Sequence, residues 1–264
     1  MLSHNQIKHF ASLRHKKFRM ENGKFLAEGE KIVLDIIRFP GCNIIPHILL
    51  CNHDFLEQHN PKKINSGIEV IEVSEKDLSR ISTLSKPNKA ILECIMPVFV
   101  PDYGQISEEL SVLLEDISDP GNLGTIIRTA DWFGIRNIFC SMESVDLYNP
   151  KVIQSTMGSI CRVKIYYINP EEVISQLKNK KDYKIYGAVL DGENIYTQKL
   201  PPGGLIVLGN ESKGISKHIK SLLDIKLTIP TITEGNNRSE SLNIASAASI
   251  VFSEFKKSIL FEMK

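Results

Sequence analysis

A chain of 264 residues with 42% hydrophobic content is long enough for two domains with their own cores. That excludes a disordered segment and a small disulfide scaffold. Lys and Arg total 32 against 31 Asp and Glu, a net charge of +1, which predicts neither a strongly basic nucleic-acid coat nor an acidic tail.

The balance holds within each half: residues 1–102 carry 14 basic and 12 acidic side chains, and residues 103–264 carry 18 and 19. Only the first 24 residues stand out, because Lys8, Arg14, Lys16, Lys17, Arg19 and Lys24 face Glu21 alone, a local +5. The five cysteines (Cys42, Cys51, Cys94, Cys140, Cys161) form no C-x-x-C pair and lie too far apart for a zinc knuckle. Reduced thiols in a cytoplasmic protein, with no metal, are expected. No apolar run reaches the roughly 18 residues of a membrane span, and the polar, basic start lacks a signal-peptide core. A soluble, unexported chain is expected.

In chain order, residues 1–20 read as one basic helix with a weak apolar stripe of Ile7, Phe10, Leu13 and Phe18. Strands follow at 25–27, 44–50 and 68–73, helices at 30–39 and 75–84, and an apolar segment at 90–100. This describes a small α/β domain over 1–102. The segment Val100-Pro101-Asp102-Tyr103-Gly104 is the best linker. Beyond it strands at 110–117, 137–140, 163–168, 184–190, 205–209 and 226–230 alternate with helices at 123–133, 151–160, 171–181 and 215–223, and a helix from 242 to about 260 closes the chain. Apolar strands alternating with helices predict a mostly parallel sheet covered on both faces, with ligands at the carboxyl ends of its strands.

Three loops after strands are unusual. In the first, 119–130, Asn122 is placed to cap a helix, Gly124 leaves room for a ligand, and Arg128 follows about a turn and a half on. The ordinary alternative is a plain helix cap and a solvated arginine. In the second, 208–215, two glycines bracket Glu211, which is free to accept a hydrogen bond or to orient an arginine; the alternative is a solvated turn. In the third, Ser241 is placed to cap the last helix, whose Leu242, Ala245, Ala248, Phe252, Phe255 and Ile259 form one apolar stripe. Asn243, a weak helix former, lies beside it. No G-x-G-x-x-G, G-x-S-x-G, H-E-x-x-H or P-loop spacing occurs. Six of the seven histidines lie in residues 1–59, and the seventh, His218, reads as a surface residue.

Taken in order, Asn-x-Gly-x-x-x-Arg-x-Ala at 122–130, Leu-Gly-Asn-Glu-Ser-Lys-Gly at 208–214 and Ile-Pro…Ser-Leu-Asn at 229–243 resemble the three motifs of the SpoU (TrmH-type) RNA ribose 2′-O-methyltransferases. The segments 146–151 and 155–159 are also similar to the family, and the resemblance covers about 105–260. The N-terminal part, with Phe25-Leu26-Ala27-Glu28-Gly29-Glu30-Lys31, is similar to the family's ribosomal-protein-like (L7Ae/L30e-like) substrate-binding domain.

The resemblance implies an α/β SPOUT domain with a parallel sheet and a trefoil knot over 103–264, an RNA-binding domain over 1–102, a homodimer, and S-adenosylmethionine as cofactor. It implies that Leu208, Gly209, Ile229, Ser241 and Leu242 hold the cofactor and that Asn122, Arg128, Glu211, Ser241 and Asn243 line the catalytic pocket. One departure is visible: Asn237 stands where family members commonly have glycine, and the path from Ile229 to Leu242 is about four residues longer than the family pattern, with Gly235 available after an insertion.

The implied reaction is methyl transfer to a ribose 2′-hydroxyl of ribosomal or transfer RNA, which DNA lacks. Arg128 is expected to clamp a phosphate and ease alkoxide formation with Asn122 and Glu211 fixing its fork, or to act as the activating base. The basic opening is expected either to touch RNA phosphates or to be a solvated helix. A non-catalytic RNA-binding protein that retains the fold is the rival reading.

Overall fold

A computed structural model of the chain describes residues 2–85, 88–232 and 241–262. The chain divides into two units, Met1–Val98 with Asp146–Arg162, and Phe99–Val145 with Val163–Lys264.

In the first unit α1 (His4–Ser12) opens on a capping box, Ser3 accepting from Gln6 N while Gln6 accepts from Ser3 N. The single basic helix expected over 1–20 is two, because the chain turns at 13–15 before α2 (Lys16–Asn22). Gly23, at φ 62°, ends α2 in a left-handed conformation that favours glycine. Then follow β1 (Lys24–Glu28), α3 (Glu30–Arg38), β2 (Ile45–Cys51), α4 (His53–His59), α5 (Pro61–Ile64), β3 (Glu69–Glu72), α6 (Glu75–Ile81) and β4 (Ala90–Ile95). The sheet runs β1-β4-β2-β3, with β4 antiparallel to both neighbours and β2 parallel to β3. The sequence pattern missed α4 and α5.

Two of the six basic residues of the opening are used inside this unit. Arg19 is 3% exposed, donates to the carbonyls of Leu13 and Arg14, and forms an ion pair with Asp146. Lys24 pairs with the fully buried Glu93, which His9 and His47 also reach at 2.7 and 2.6 Å. The expected +5 surface therefore shrinks to Lys8, Arg14, Lys16 and Lys17, all exposed.

The second unit begins with α7 (Tyr103–Ile106), β5 (Leu110–Leu114), α8 (Pro120–Trp132) and β6 (Asn137–Cys140). Its course is then interrupted: residues 146–162, with α9 (Pro150–Thr156), pack into the first unit. Gln154 donates to the Glu28 carbonyl at 2.9 Å, Asn43 N donates to the Cys161 carbonyl at 2.9 Å, and the rings of Phe25 and Tyr148 lie 4.6 Å apart. The continuous domain expected from 103 onward includes this segment, whereas its spatial grouping is with the first unit. At its end Gly158, at φ 92°, passes so close to Asp35 that any side chain would collide with its carboxylate.

The second unit resumes with β7 (Lys164–Tyr167), α10 (Pro170–Lys178), β8 (Ile185–Asn194), β9 (Gly204–Leu208), α11 (Lys217–Leu222), β10 (Ile225–Thr228) and α12 (Ile244–Glu262). All five strand pairings are parallel, in the order β10-β8-β9-β5-β6-β7. Every residue of β5, β6 and β9 is buried, as a sheet covered on both faces requires. The one hydroxyl in β5, on Ser111, is satisfied by Tyr183 at 2.7 Å. The expected α/β architecture with a parallel sheet is present, and it places the carboxyl ends of β5 and β9 side by side.

Among the described residues no helix is long and apolar enough to cross a membrane, and no group of His, Cys, Asp and Glu is arranged to hold a metal ion.

Candidate active site

The three singled-out loops all leave the second sheet at this edge. After β5, Asp119 is the N-cap of α8 and accepts from Asn122 N at 2.8 Å, with Pro120 in the first turn. Asn122 is thus not the cap that the sequence suggested. Its side chain is free of the helix end and joins two other loops: Nδ2 donates to Glu211 at 3.0 Å, and Oδ1 accepts from Asn243 Nδ2 at 3.0 Å. The Asp119-Pro120 pair was the available signal, since proline favours the position just inside a helix.

Glu211 lies in the turn after β9. It accepts from Ser118 N and Oγ at 3.3 and 3.0 Å and from Asp119 N at 3.2 Å, besides Asn122. Burial opposes its ionisation, but the donors from Asn122 and the main chain outweigh that, so its carboxyl titrates below the usual range. Glu211 is therefore a carboxylate at neutral pH, engaged by the first loop, and does not orient Arg128. The turn closes tightly: Asn210 and Gly214 exchange main-chain hydrogen bonds at 3.1 and 2.9 Å, and a Cβ on Gly209 would lie 2.2 Å from Gly214.

Asn243, not Ser241, caps the last helix. Its Oδ1 accepts from Ala245 N and Ser246 N at 2.9 and 3.3 Å, and α12 begins at Ile244. Ser241 is exposed, and so is Leu242 at 51%. Leu242 and Ile259 depart from the expected buried stripe, which Ala245, Ala248, Phe252 and Phe255 fulfil. The region of the third loop around Gly235 and Asn237 lies outside the described residues.

Arg128 sits on α8 beyond Asn122, exposed, with no hydrogen bond or ion pair among the described residues. Gly124, expected to face a ligand, is buried. His218 is on the surface, where Nε2 lies 3.0 Å from Glu171.

Residues that the sequence reading passed over complete the arrangement. Asp116 adopts φ 57°, a left-handed conformation uncommon outside glycine. Ser141 locks it, accepting from Asp116 N at 2.8 Å and donating to its carboxylate at 2.7 Å, while Asn210 Nδ2 donates to its carbonyl at 2.7 Å. Glu115 accepts from Ser216 N at 2.8 Å. The loops after β5 and β9 are thereby tied at three places, leaving Arg128 the one charged group of the expected site without a protein partner among the described residues.

The residues expected to hold the cofactor suit S-adenosylmethionine in kind. Leu208 is buried at the end of β9, Gly209 leaves bare main chain there, Ile229 is half-buried after β10, and Leu242 presents an exposed apolar side chain. Main-chain hydrogen-bonding groups with apolar contact suit an adenine ring and its ribose.

The chain is similar to known proteins. The SpoU rRNA Methylase family matches residues 109–253, and the MRM3-like substrate binding domain matches residues 4–91. The 23S rRNA (guanosine(2553)-2′-O)-methyltransferase RlmP of Bacillus subtilis is 30% identical over 249 residues, covering 93% of this chain and 94% of that protein. The solved structure of a TrmH-family RNA methyltransferase from Porphyromonas gingivalis superposes with a TM-score of 0.84 at 35% identity, covering 98% of this chain and 99% of the other. An AdoMet-bound rRNA methyltransferase from Sinorhizobium meliloti does so with a TM-score of 0.82 at 28% identity, over 98% and 97%. The fold and site define an S-adenosylmethionine-dependent RNA methyltransferase. The chain belongs to the SpoU family.

Proposed function

We infer that this enzyme transfers a methyl group from S-adenosylmethionine to a ribose 2′-hydroxyl of ribosomal RNA, as the activity of the Bacillus subtilis relative supports. Bound S-adenosylmethionine supplies a methyl already activated on a sulfonium. The protein must orient the acceptor and stabilise the oxyanion that develops as its proton leaves. Asn122, Glu211 and Asn243 position the loops and touch one another, and Arg128 stands free to meet the substrate. A guanidinium does not normally deprotonate, so Arg128 acts as a clamp on the phosphate and the incipient alkoxide rather than as a base.

The observation that carries this reading is Arg128, exposed on the helix that bears Asn122 and without a partner among the described residues. Arg128→Ala is expected to abolish tritium transfer from labelled S-adenosylmethionine to rRNA while leaving cofactor affinity within about twofold; substantial surviving activity removes Arg128 from the mechanism.

The first unit selects the RNA, as the substrate-binding match over 4–91 supports. The second unit carries a trefoil knot and forms a homodimer. In support, Trp132 on α8 and Ile259 and Phe261 on α12, two helices that pack together, are 85%, 39% and 77% exposed in the single chain. Sedimentation equilibrium is expected to return twice the chain mass. An odd number of cysteines with no C-x-x-C pair accords with work in the reducing cytoplasm.

A further inference from the structure

Two cysteines that methyl transfer does not use lie together in the first unit. Cys42, in the turn after α3, is half-buried, and Cys161, at the end of the 146–162 segment, is buried. The two thiols act on each other electrostatically. The backbones are fastened alongside, Asn43 N donating to the Cys161 carbonyl at 2.9 Å. The surroundings of Cys42 favour a thiolate: Ile44 N donates to its sulfur at 3.4 Å, and the Arg162 guanidinium, seated 5.3 Å over the Phe39 ring, bears on it electrostatically. The neighbouring Cys161 thiol lowers the Cys42 thiol first, burial resists, and Ile44 and Arg162 add to the lowering while Asp35 opposes it. The same proximity and burial push Cys161 up.

The other three cysteines differ. Cys51 and Cys140 are pushed up to about 12 by burial, and Cys94 is also raised well above its ordinary value by burial. Raised by burial, none of these three offers a thiolate to attack a peroxide.

We propose that Cys42 and Cys161 form a dithiol–disulfide couple that consumes hydroperoxides, with Cys42 the attacking sulfur and Cys161 the resolving one. The Cys42 thiolate attacks the peroxide oxygen, the O–O bond breaks, and the distal oxygen leaves as hydroxide or alkoxide, giving a sulfenic acid. The Cys161 sulfur then attacks that sulfur, the S–O bond breaks, and the oxygen leaves as water with the Cys161 proton. Two thiols are oxidised and one peroxide is reduced to two hydroxyl products. The bond joins the two chain segments that make up the first unit, and a dithiol reductant reverses it.

The test is titration of the reduced full-length protein with hydrogen peroxide. Thiols counted after denaturation should fall from five to three, the mass should drop by two hydrogen atoms, peptide mapping should join Cys42 to Cys161, and dithiothreitol should restore all five thiols. Cys161→Ser should stop at a sulfenic acid on Cys42 that dimedone traps, and Cys42→Ser should react at least 10-fold more slowly. Retention of all five thiols, a disulfide between any other pair, or a Cys42→Ser rate equal to that of the unaltered chain overturns the proposal. Should a serine variant fail to fold, as circular dichroism would report, peptide mapping of the unaltered chain alone decides.

Discussion

The two units handle charge in opposite ways. In the first, ionised groups are taken inside and matched: Arg19 with Asp146, and Glu93 with Lys24, His9 and His47. In the second, the sheet interior is apolar and the polar network sits at one edge, where Glu211 is satisfied by main-chain and amide donors and Arg128 is left without a partner among the described residues. A buried arginine with a carboxylate holds chain segments in place. An exposed arginine beside a preorganised network is available to a phosphate. Residue type does not distinguish Arg19 from Arg128; what surrounds each guanidinium does.

That contrast can be broken by exchanging the effects of the two arginines. Arg19→Ala leaves Asp146 without its buried partner, and the expected cost is about 3–5 kcal/mol of stability in urea unfolding. Cofactor binding in whatever fraction remains folded should be unchanged. Arg128→Ala should do the reverse, lowering kcat by roughly 10²–10³ or more while moving the unfolding free energy by no more than about 0.5 kcal/mol. A stability loss at Arg128 equal to that at Arg19 would erase the distinction.

Acid sharpens the same comparison. Burial resists ionisation of Glu93, but His9, Lys24 and His47 outweigh it, so its native carboxyl titrates below the ordinary value. Its contribution is fully present above the unfolded value of about 4.3 and is lost as pH falls through the native one. Unfolding free energy should decline over that range with a slope approaching one proton, about 1.4 kcal/mol per pH unit, and Glu93→Gln should flatten it. The smallest effect is expected at the last helix: Asn243→Ala removes the α12 cap, at about 1 kcal/mol, and cuts the link to Asn122. A fall in kcat larger than the fall in stability would mark the link as part of the site.

Much of this arrangement was legible in the sequence because it rests on local pattern. The nearly continuous apolar runs of β5 and β9 announce a covered parallel sheet, and Asn122, Glu211 and Asn243 converge where strands end. What was misjudged depended on partners distant in the chain. Asn122 was given to the helix cap although Asp119 takes that place, because a side chain that can cap gives no sign of a stronger neighbour before a proline. Arg19 read as one of six surface charges, solvated or meeting RNA phosphates, because nothing nearby in sequence points to Asp146, 127 residues on. The excursion of 146–162 into the first unit was invisible for the same reason: Gln154 and Tyr148 carry no periodic mark of the strand they meet.

That excursion sets a timetable for the newly made protein. The first unit is not complete when residue 98 leaves the ribosome, since Asp146, Tyr148 and Gln154 belong to it and are still to be made. At roughly 5–20 residues per second, the nascent chain waits several seconds with the Arg19 guanidinium lacking its carboxylate. By the time the missing segment arrives, β5, α8 and β6 have already emerged, so the N-terminal unit cannot finish folding before the next one has begun.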